Sequence, residues 1–162
     1  MQSFPPTVVL RHHKENLKKC SLRGLEGVED FHFYTYPKSI LPSLVGYTML
    51  ALEAPVLSLE DAGQGLFILD STWRYAEKML KFVERHADLP KRSLPPHFRT
   101  AYPRRQEDCI DPARGLASIE AIYVAYMLLG RDTTQVLNHY HWKEDFLKIN
   151  GLEKEEGNST MA

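Results

Sequence analysis

The sequence predicts an α/β fold, and three observations carry the prediction. Leu66-Phe-Ile-Leu69 is a short apolar run suited to a buried strand, stopped at once by Asp70-Ser-Thr-Trp73. Two later stretches, near 72–85 and 118–130, carry apolar residues at helical spacing. Shorter β-type segments precede and separate them, and alternation of strands with long helices marks α/β architecture. A chain of 162 residues is long enough for one well-packed domain.

In chain order, residues 1–6 read as loose and Thr7–Arg11 as a short strand. Residues 12–27 are basic and polar, end in glycines, and read as a loop or short helix. Phe31–Tyr36 alternates aromatic with polar residues, which suits a strand. Pro37 and Pro42 flank a loop, and Tyr47–Leu52 is the next strand. Ala54–Leu57 leads away from it, and Leu59–Gln64 reads as one helical turn. Leu66–Leu69 follows as a strand. The first long helix runs from about Thr72 to Arg85, with Trp73, Ala76, Leu80 and Val83 on one stripe. Residues 86–97 hold three prolines and read as a loop. Phe98–Ala101 reads as a short strand, and 103–115 as a polar loop with three arginines. The second long helix starts near Ser118 and stops at Gly130, a residue suited to the left-handed position after a helix end. Ile119, Ile122, Tyr123, Tyr126 and Leu129 leave it little polar face, which predicts burial. Asp132 and Gln135 have capping-box spacing for a third helix from Thr133 to Ile149. Residues 152–162 are charged and small and read as a disordered tail.

The formal net charge is −1, so bulk charge speaks neither for nor against nucleic acid. Cys20 and Cys109 make neither a disulfide framework nor a Cys-rich zinc site. No charged start with an apolar run marks a secretory leader, and no run reaches the ~18 apolar residues of a membrane span. A cytoplasmic protein without a membrane partner is expected. No Gly-rich phosphate loop, GxGxxG fingerprint or serine nucleophile elbow is present.

Four constellations carry possible chemistry. In open α/β sheets, ligands sit at the carboxyl ends of strands. Asp70, Ser71, Thr72 and Trp73 arrive together at such an end. They read either as a helix cap with a core tryptophan or as a ligand-facing carboxylate with a pocket wall. The proline-bracketed stretch from Arg92-Ser-Leu-Pro95 to Thr100-Ala-Tyr-Pro103 offers fixed backbone groups, or is an ordinary connector. Gly115-Leu-Ala-Ser-Ile-Glu-Ala121 puts small residues at a helix start. There Ser118 is either pocket-lining or an N-cap, with Glu120 favourable in the first turn. Arg11-His-His-Lys14, Lys18, Lys19, Arg99, Arg104, Arg105 and Arg114 make either a phosphate-binding rim or plain solvated surface. His12-His13 and His139-x-His141 lack a third ligand at metal-site spacing, so no metal is expected.

The order of these motifs is more specific than any one of them. Lys-Lys-Cys-Ser21 comes first, then the strand ending in Asp70-Ser-Thr-Trp73. Arg-Ser-Leu-Pro95, Ala101-Tyr-Pro103 and Leu116-Ala-Ser-Ile-Glu-Ala121 follow. Over residues 8–130 this order resembles the superfamily that unites DTW-domain proteins with the ribosomal RNA aminocarboxypropyltransferases. Lys-Lys-Cys-Ser is closer to the ribosomal branch, and Tyr102-Pro-Arg-Arg105 to the DTW branch, whose members modify transfer RNA.

The resemblance implies a SPOUT-like α/β domain with a C-terminal trefoil knot. The layout it implies is an N-terminal α/β subdomain at 1–60, an S-adenosylmethionine-binding region at 61–151 and a tail at 152–162. It implies S-adenosyl-L-methionine as substrate, no metal, and ribosomal or transfer RNA as the partner of a monomer. The activity it implies is transfer of the 3-amino-3-carboxypropyl group to N3 of a uridine or pseudouridine, releasing 5′-methylthioadenosine. Asp70 is then the base or orienting group. Ser21, Leu57, Ser58, Asp70, Thr72, Trp73, Leu94, Thr100, Ala101, Tyr102, Leu116, Ala117 and Ser118 are the cofactor-facing positions. Lys18, Lys19, Arg99, Arg104 and Arg105 are candidates for RNA phosphates. The competing readings are a SPOUT methyltransferase and a non-catalytic RNA-binding assembly factor.

Overall fold

β-branched and apolar residues dominate the segments that become strands, and the sheet they form is wholly parallel. A computed structural model describes residues 4–13, 22, 24–38, 40–51, 53–71, 73–101 and 116–152, without the side chains of Trp73 and Arg74. Strands β1 (Thr7–His12), β2 (Phe31–Tyr36), β3 (Tyr47–Leu50), β4 (Gly65–Asp70) and β5 (Lys91–Arg92) lie in the order β2-β1-β4-β3-β5. β1 and β4 sit inside the sheet and are almost fully buried, which is why each carries an unbroken apolar stretch, Val8–Leu10 and Leu66–Leu69. β1 pairs with β2 from Thr7↔Phe31 to His12↔Tyr36, and with β4 from Val8↔Phe67 to Arg11↔Asp70. The sheet takes three strands from residues 1–60 and two from 61–151, so both segments share it.

Helices cover both faces, as a parallel sheet requires. α1 (Trp73–His86) packs Met79 and Val83 onto Val8, Leu10, Met49 and Phe67. α2 (Ser118–Leu128) packs Ile119, Ile122, Tyr123 and Tyr126 onto Val9, Phe31, Leu66 and Ile68. α3 (Lys143–Ile149) adds Phe146 and Leu147 to that second face. Successive strand residues point to opposite faces, so Thr7, Val9 and Arg11 face α2 while Val8, Leu10 and His12 face α1. The Tyr126 phenol and the Thr7 hydroxyl share a hydrogen bond of 2.6 Å across the α2 face. Burial raises the Tyr126 pKa, so the phenol stays a neutral partner. Gly65 opens β4 because a Cβ there would lie 2.5 Å from the Tyr47 ring, which is anchored through its hydroxyl to the Pro6 carbonyl.

α2 ends where expected. Gly130 has φ +73°, its N–H reaches the Met127 carbonyl, and the Arg131 N–H reaches the Tyr126 carbonyl, a Schellman closure. The buried Arg131 guanidinium donates to the Ala62 and Gln64 carbonyls and lies 3.8 Å over the Phe4 ring. Among the described residues, no helix is long and apolar enough to cross a membrane.

Several expected elements differ. The third helix begins at Lys143, not Thr133. The Asp132 carboxylate accepts from the Thr134 N–H and hydroxyl two residues on, closing a local turn instead of a capping box. Thr133, Thr134, Val136 and Asn138 are also weak helix formers. Residues 86–97 contain β5, which pairs Lys91 and Arg92 with Met49 and Leu50. Phe98–Ala101 is not a strand: side chains hold it, as described below. A one-turn 3₁₀ helix occupies Leu59–Asp61, within the turn expected at 59–64.

Candidate functional site

β1 and β4 lie side by side, yet the chain leaves their carboxyl ends in opposite directions, toward β2 and toward β5. Such a reversal opens a crevice beyond the strand ends, the usual ligand position in open parallel sheets. Arg11 and Asp70 are register partners at this point, and both face α2. Arg11 Nε donates to Asp70 Oδ2 at 3.2 Å, and Ser118 Oγ donates to Asp70 Oδ1 at 2.9 Å. Arg11 Nη1 reaches Glu26 Oε2 at 3.2 Å, and its guanidinium lies 4.7 Å over the Phe33 ring. Both members of the Arg11–Asp70 pair are buried. Two carboxylates, Asp70 and Glu26, thus share one guanidinium. Burial acts to raise the Glu26 pKa, but backbone N–H donors, including that of Gly24, and the Arg11 charge hold it below its ordinary value.

A second carboxylate organises the wall of the crevice. Glu120, fully buried at the third position of α2, accepts from four donors. Its Oε1 takes the Thr100 hydroxyl at 2.6 Å and the Ala117 N–H at 2.8 Å. Its Oε2 takes the Ala101 N–H at 2.9 Å and the Tyr140 hydroxyl at 2.8 Å. One side chain therefore ties the 94–101 stretch, the start of α2 and the 140 turn together. Ala117 rather than Ser118 is the N-cap of α2; it has no capping oxygen, and Glu120 reaches back to its N–H instead. That frees the Ser118 hydroxyl for Asp70.

The remaining expected residues divide by location. The Leu57 N–H bonds to the Ser93 carbonyl at 2.8 Å, which lays the 54–58 loop along the residues before Leu94. Leu57 is buried in the α2-side core, and Leu94, Ala101 and Leu116 pack against that core. The Ser58 hydroxyl caps the 3₁₀ helix by accepting from the Glu60 N–H. Arg99 is exposed, and its backbone is clamped by the Asn150 side chain, which accepts from its N–H and donates to its carbonyl, both at 2.8 Å. Ser21, Thr72, Tyr102, Lys18, Lys19, Arg104, Arg105 and Arg114 lie outside the described residues, as do the Trp73 side chain, the whole 103–115 stretch and the residues after Leu152. Arg11, expected on a solvated or phosphate-binding rim, instead turns inward to Asp70. His12 stacks on Tyr75, and among the described residues no three His, Cys, Asp or Glu side chains gather as a metal site.

Glu26 was not picked out from the sequence, and Glu120 and Arg11 were read there in other roles, a first-turn acid and a rim cation. Glu120 carried a signal, an acid at the third helix position behind a residue that cannot cap. The pairing of Arg11 with Asp70 depends on β1 and β4 being neighbours, and local sequence does not encode strand order.

No protein-family model matches the chain, and no curated protein matches it in sequence. Among solved structures it is similar to the SAM-dependent rRNA:acp-transferase Tsr3 from Vulcanisaeta distributa. The two share 22% sequence identity over 90% of this chain and 79% of that one, with a TM-score of 0.64. At that identity the likeness is one of fold: a mixed α/β domain on a parallel five-stranded sheet.

Proposed function

We propose that the protein is an S-adenosylmethionine-dependent RNA 3-amino-3-carboxypropyltransferase that modifies N3 of a uridine or pseudouridine, with ribosomal RNA favoured. The observation that carries this reading is the convergence on one strand end. Asp70, Ser118 and, through Glu120, Thr100, Ala101 and Ala117 meet at the switch point of a fold shared with a solved SAM-dependent rRNA:acp-transferase. The DTW-like order of motifs supports the same conclusion, and the knotted C-terminal arrangement belongs to the same proposal.

The residues fit the donor chemically. A sulfonium flanked by an adenosine and an amino-acid chain calls for an apolar wall and for carboxylates near the cation. Leu94, Ala101 and Leu116, partly buried over the core that holds Leu57, supply the first, and Asp70 and Glu26 the second. The donor contributes a methylene carbon made electrophilic by the adjacent sulfonium. A bond forms from N3 to that carbon as the carbon–sulfur bond breaks, its electron pair stays on sulfur, and the N3 proton passes to water. Both oxygens of Asp70 already accept hydrogen bonds, from Ser118 and Arg11. That arrangement suits a fixed carboxylate that orients the amino-acid chain better than a mobile proton acceptor. Only the carbon aligned with the nucleophile reacts, so this positioning selects the carboxypropyl group over the methyl.

The test is incubation of purified protein with S-adenosylmethionine and small-subunit ribosomal RNA or transfer RNA, followed by nucleoside mass spectrometry. An aminocarboxypropyl adduct with 5′-methylthioadenosine is the expected result. A methyl adduct with S-adenosylhomocysteine marks a methyltransferase instead. No binding of S-adenosylmethionine at millimolar concentration removes both enzymatic readings.

A further inference from the structure

The basic run beginning Arg11-His12-His13 is only partly used by the switch-point cluster, which takes Arg11 alone. The next residue faces the other way. At the carboxyl end of β1, on the α1 face, His12 stacks on Tyr75 with ring centroids 3.9 Å apart and planes 14° from parallel. Tyr36, its register partner on the edge strand β2, lies 5.6 Å from His12 and meets Phe82 edge-on at 5.1 Å. The His13 ring stands 4.7 Å from His12, and the His13 N–H bonds to the Tyr36 carbonyl at 3.0 Å. His12 is buried, Tyr36 is half-buried and His13 is exposed, so the group rises from the core to a ring at the surface. Lys38, also exposed, follows Tyr36 by two residues, in the turn after β2.

This group has the properties of a base-stacking platform. Its backbone is fixed by sheet hydrogen bonding and its inner rings by packing, so little ordering entropy remains to be lost on binding. The outer ring gains little burial in the protein alone. Flat faces beside cationic groups bind unpaired nucleotides without needing a specific base. Arg11 and His12 are consecutive, so this face and the Asp70 cluster occupy opposite sides of one strand end.

We propose that His13 and Tyr36 form a stacking platform for an unpaired RNA base flanking the modified nucleotide. The proposal rests on the reading of the protein as an RNA-modifying enzyme, and it adds where the strand is gripped.

The experiment measures fluorescence anisotropy of labelled eight-nucleotide oligouridylate and oligoadenylate with the full chain, at one low salt concentration. His13→Ala is expected to weaken both by roughly five- to 150-fold, the range for loss of one stacked base. His13→Phe retains the affinity because the ring remains, and Tyr36→Leu, which keeps apolar bulk against Phe82, weakens it. An abasic strand of equal length binds wild type and His13→Ala alike. Absence of oligonucleotide binding, indifference to His13→Ala, failure of phenylalanine to substitute, or an equal loss on the abasic strand each overturns the platform. S-adenosylmethionine affinity, measured in parallel, is expected to stay within about twofold in His13→Ala. A protein that stacks oligonucleotides through His13 but binds no S-adenosylmethionine overturns the transferase reading and leaves the platform standing. The reverse pattern overturns the platform alone.

Discussion

The Ser118 hydroxyl donates to Asp70 Oδ1 at 2.9 Å, joining the first residue of α2 to the last residue of β4. A hydrogen bond to a charged group contributes about 1.5–3 kcal/mol. Ser118→Ala is therefore expected to lower unfolding free energy by about that amount in urea titration. On the proposed reading it also lowers transfer rate at saturating S-adenosylmethionine, because Asp70 is left less fixed. A variant with wild-type stability and rate removes Ser118 from the site.

The buried Arg11–Asp70 pair has an asymmetric prediction. Removing one partner leaves the other charge buried, at a cost of about 3–5 kcal/mol. Arg11→Met is expected to show that loss in denaturant unfolding. Adding Asp70→Asn to Arg11→Met restores part of it, since the buried carboxylate is gone and Glu26, which also loses Arg11, is exposed to water. Additive losses in the double variant contradict the coupling.

Glu120→Gln tests the four-way acceptor. Whichever way the amide turns, its NH₂ faces a backbone N–H, either that of Ala117 or that of Ala101, and a backbone donor cannot rotate away. The expected outcome is a loss of about 1–3 kcal/mol in stability and a raised Kd for S-adenosylmethionine by calorimetry. Tyr140→Phe removes only one donor and costs less, about 1 kcal/mol.

Acid destabilises this fold partly through Glu26 and Asp132. The Glu26 pKa lies below its ordinary 4.5, burial being outweighed by its N–H and Arg11 bonds, and that of Asp132 below 3.8 because of its Thr134 bonds. In the unfolded chain both carboxyls take up protons at higher pH than in the fold. The unfolded state then binds more protons, and stability falls as pH falls. Their contribution is complete above about pH 5 and is lost as pH drops through the folded values. Thermal unfolding midpoints of Glu26→Gln/Asp132→Asn are expected to show a shallower acid limb than wild type. An identical limb refutes the assignment.

Much of this arrangement is written locally in the chain. β2 was legible to the residue from its aromatic alternation, and α2 from its apolar surround and Gly130 stop. Asp70 was legible as a residue at a strand's carboxyl end. What escaped depends on distant partners. β5 is two residues long and exists only because β3 offers an edge. The 98–101 stretch is held by a carboxylate twenty residues away, so its own residues misread as a strand. Asp132 carries the letter of a helix cap but closes a turn with Thr134, a choice between two local bonds that pattern alone does not decide.

α2 is fastened at both ends, by Ser118 to Asp70 and by Tyr126 to Thr7. From Ser118 to Tyr126 a helix advances about 12 Å at ~1.5 Å per residue. From Thr7 to Arg11, the partner of Asp70, a strand advances about 13 Å at ~3.3 Å per residue. The helix thus acts as a gauge block cut to the length of the strand beneath it. A one-residue insertion between the two bonds turns one end by about 100° relative to the other and adds ~1.5 Å. It cannot keep both fastenings, so the length of α2, as much as its composition, holds the crevice in place.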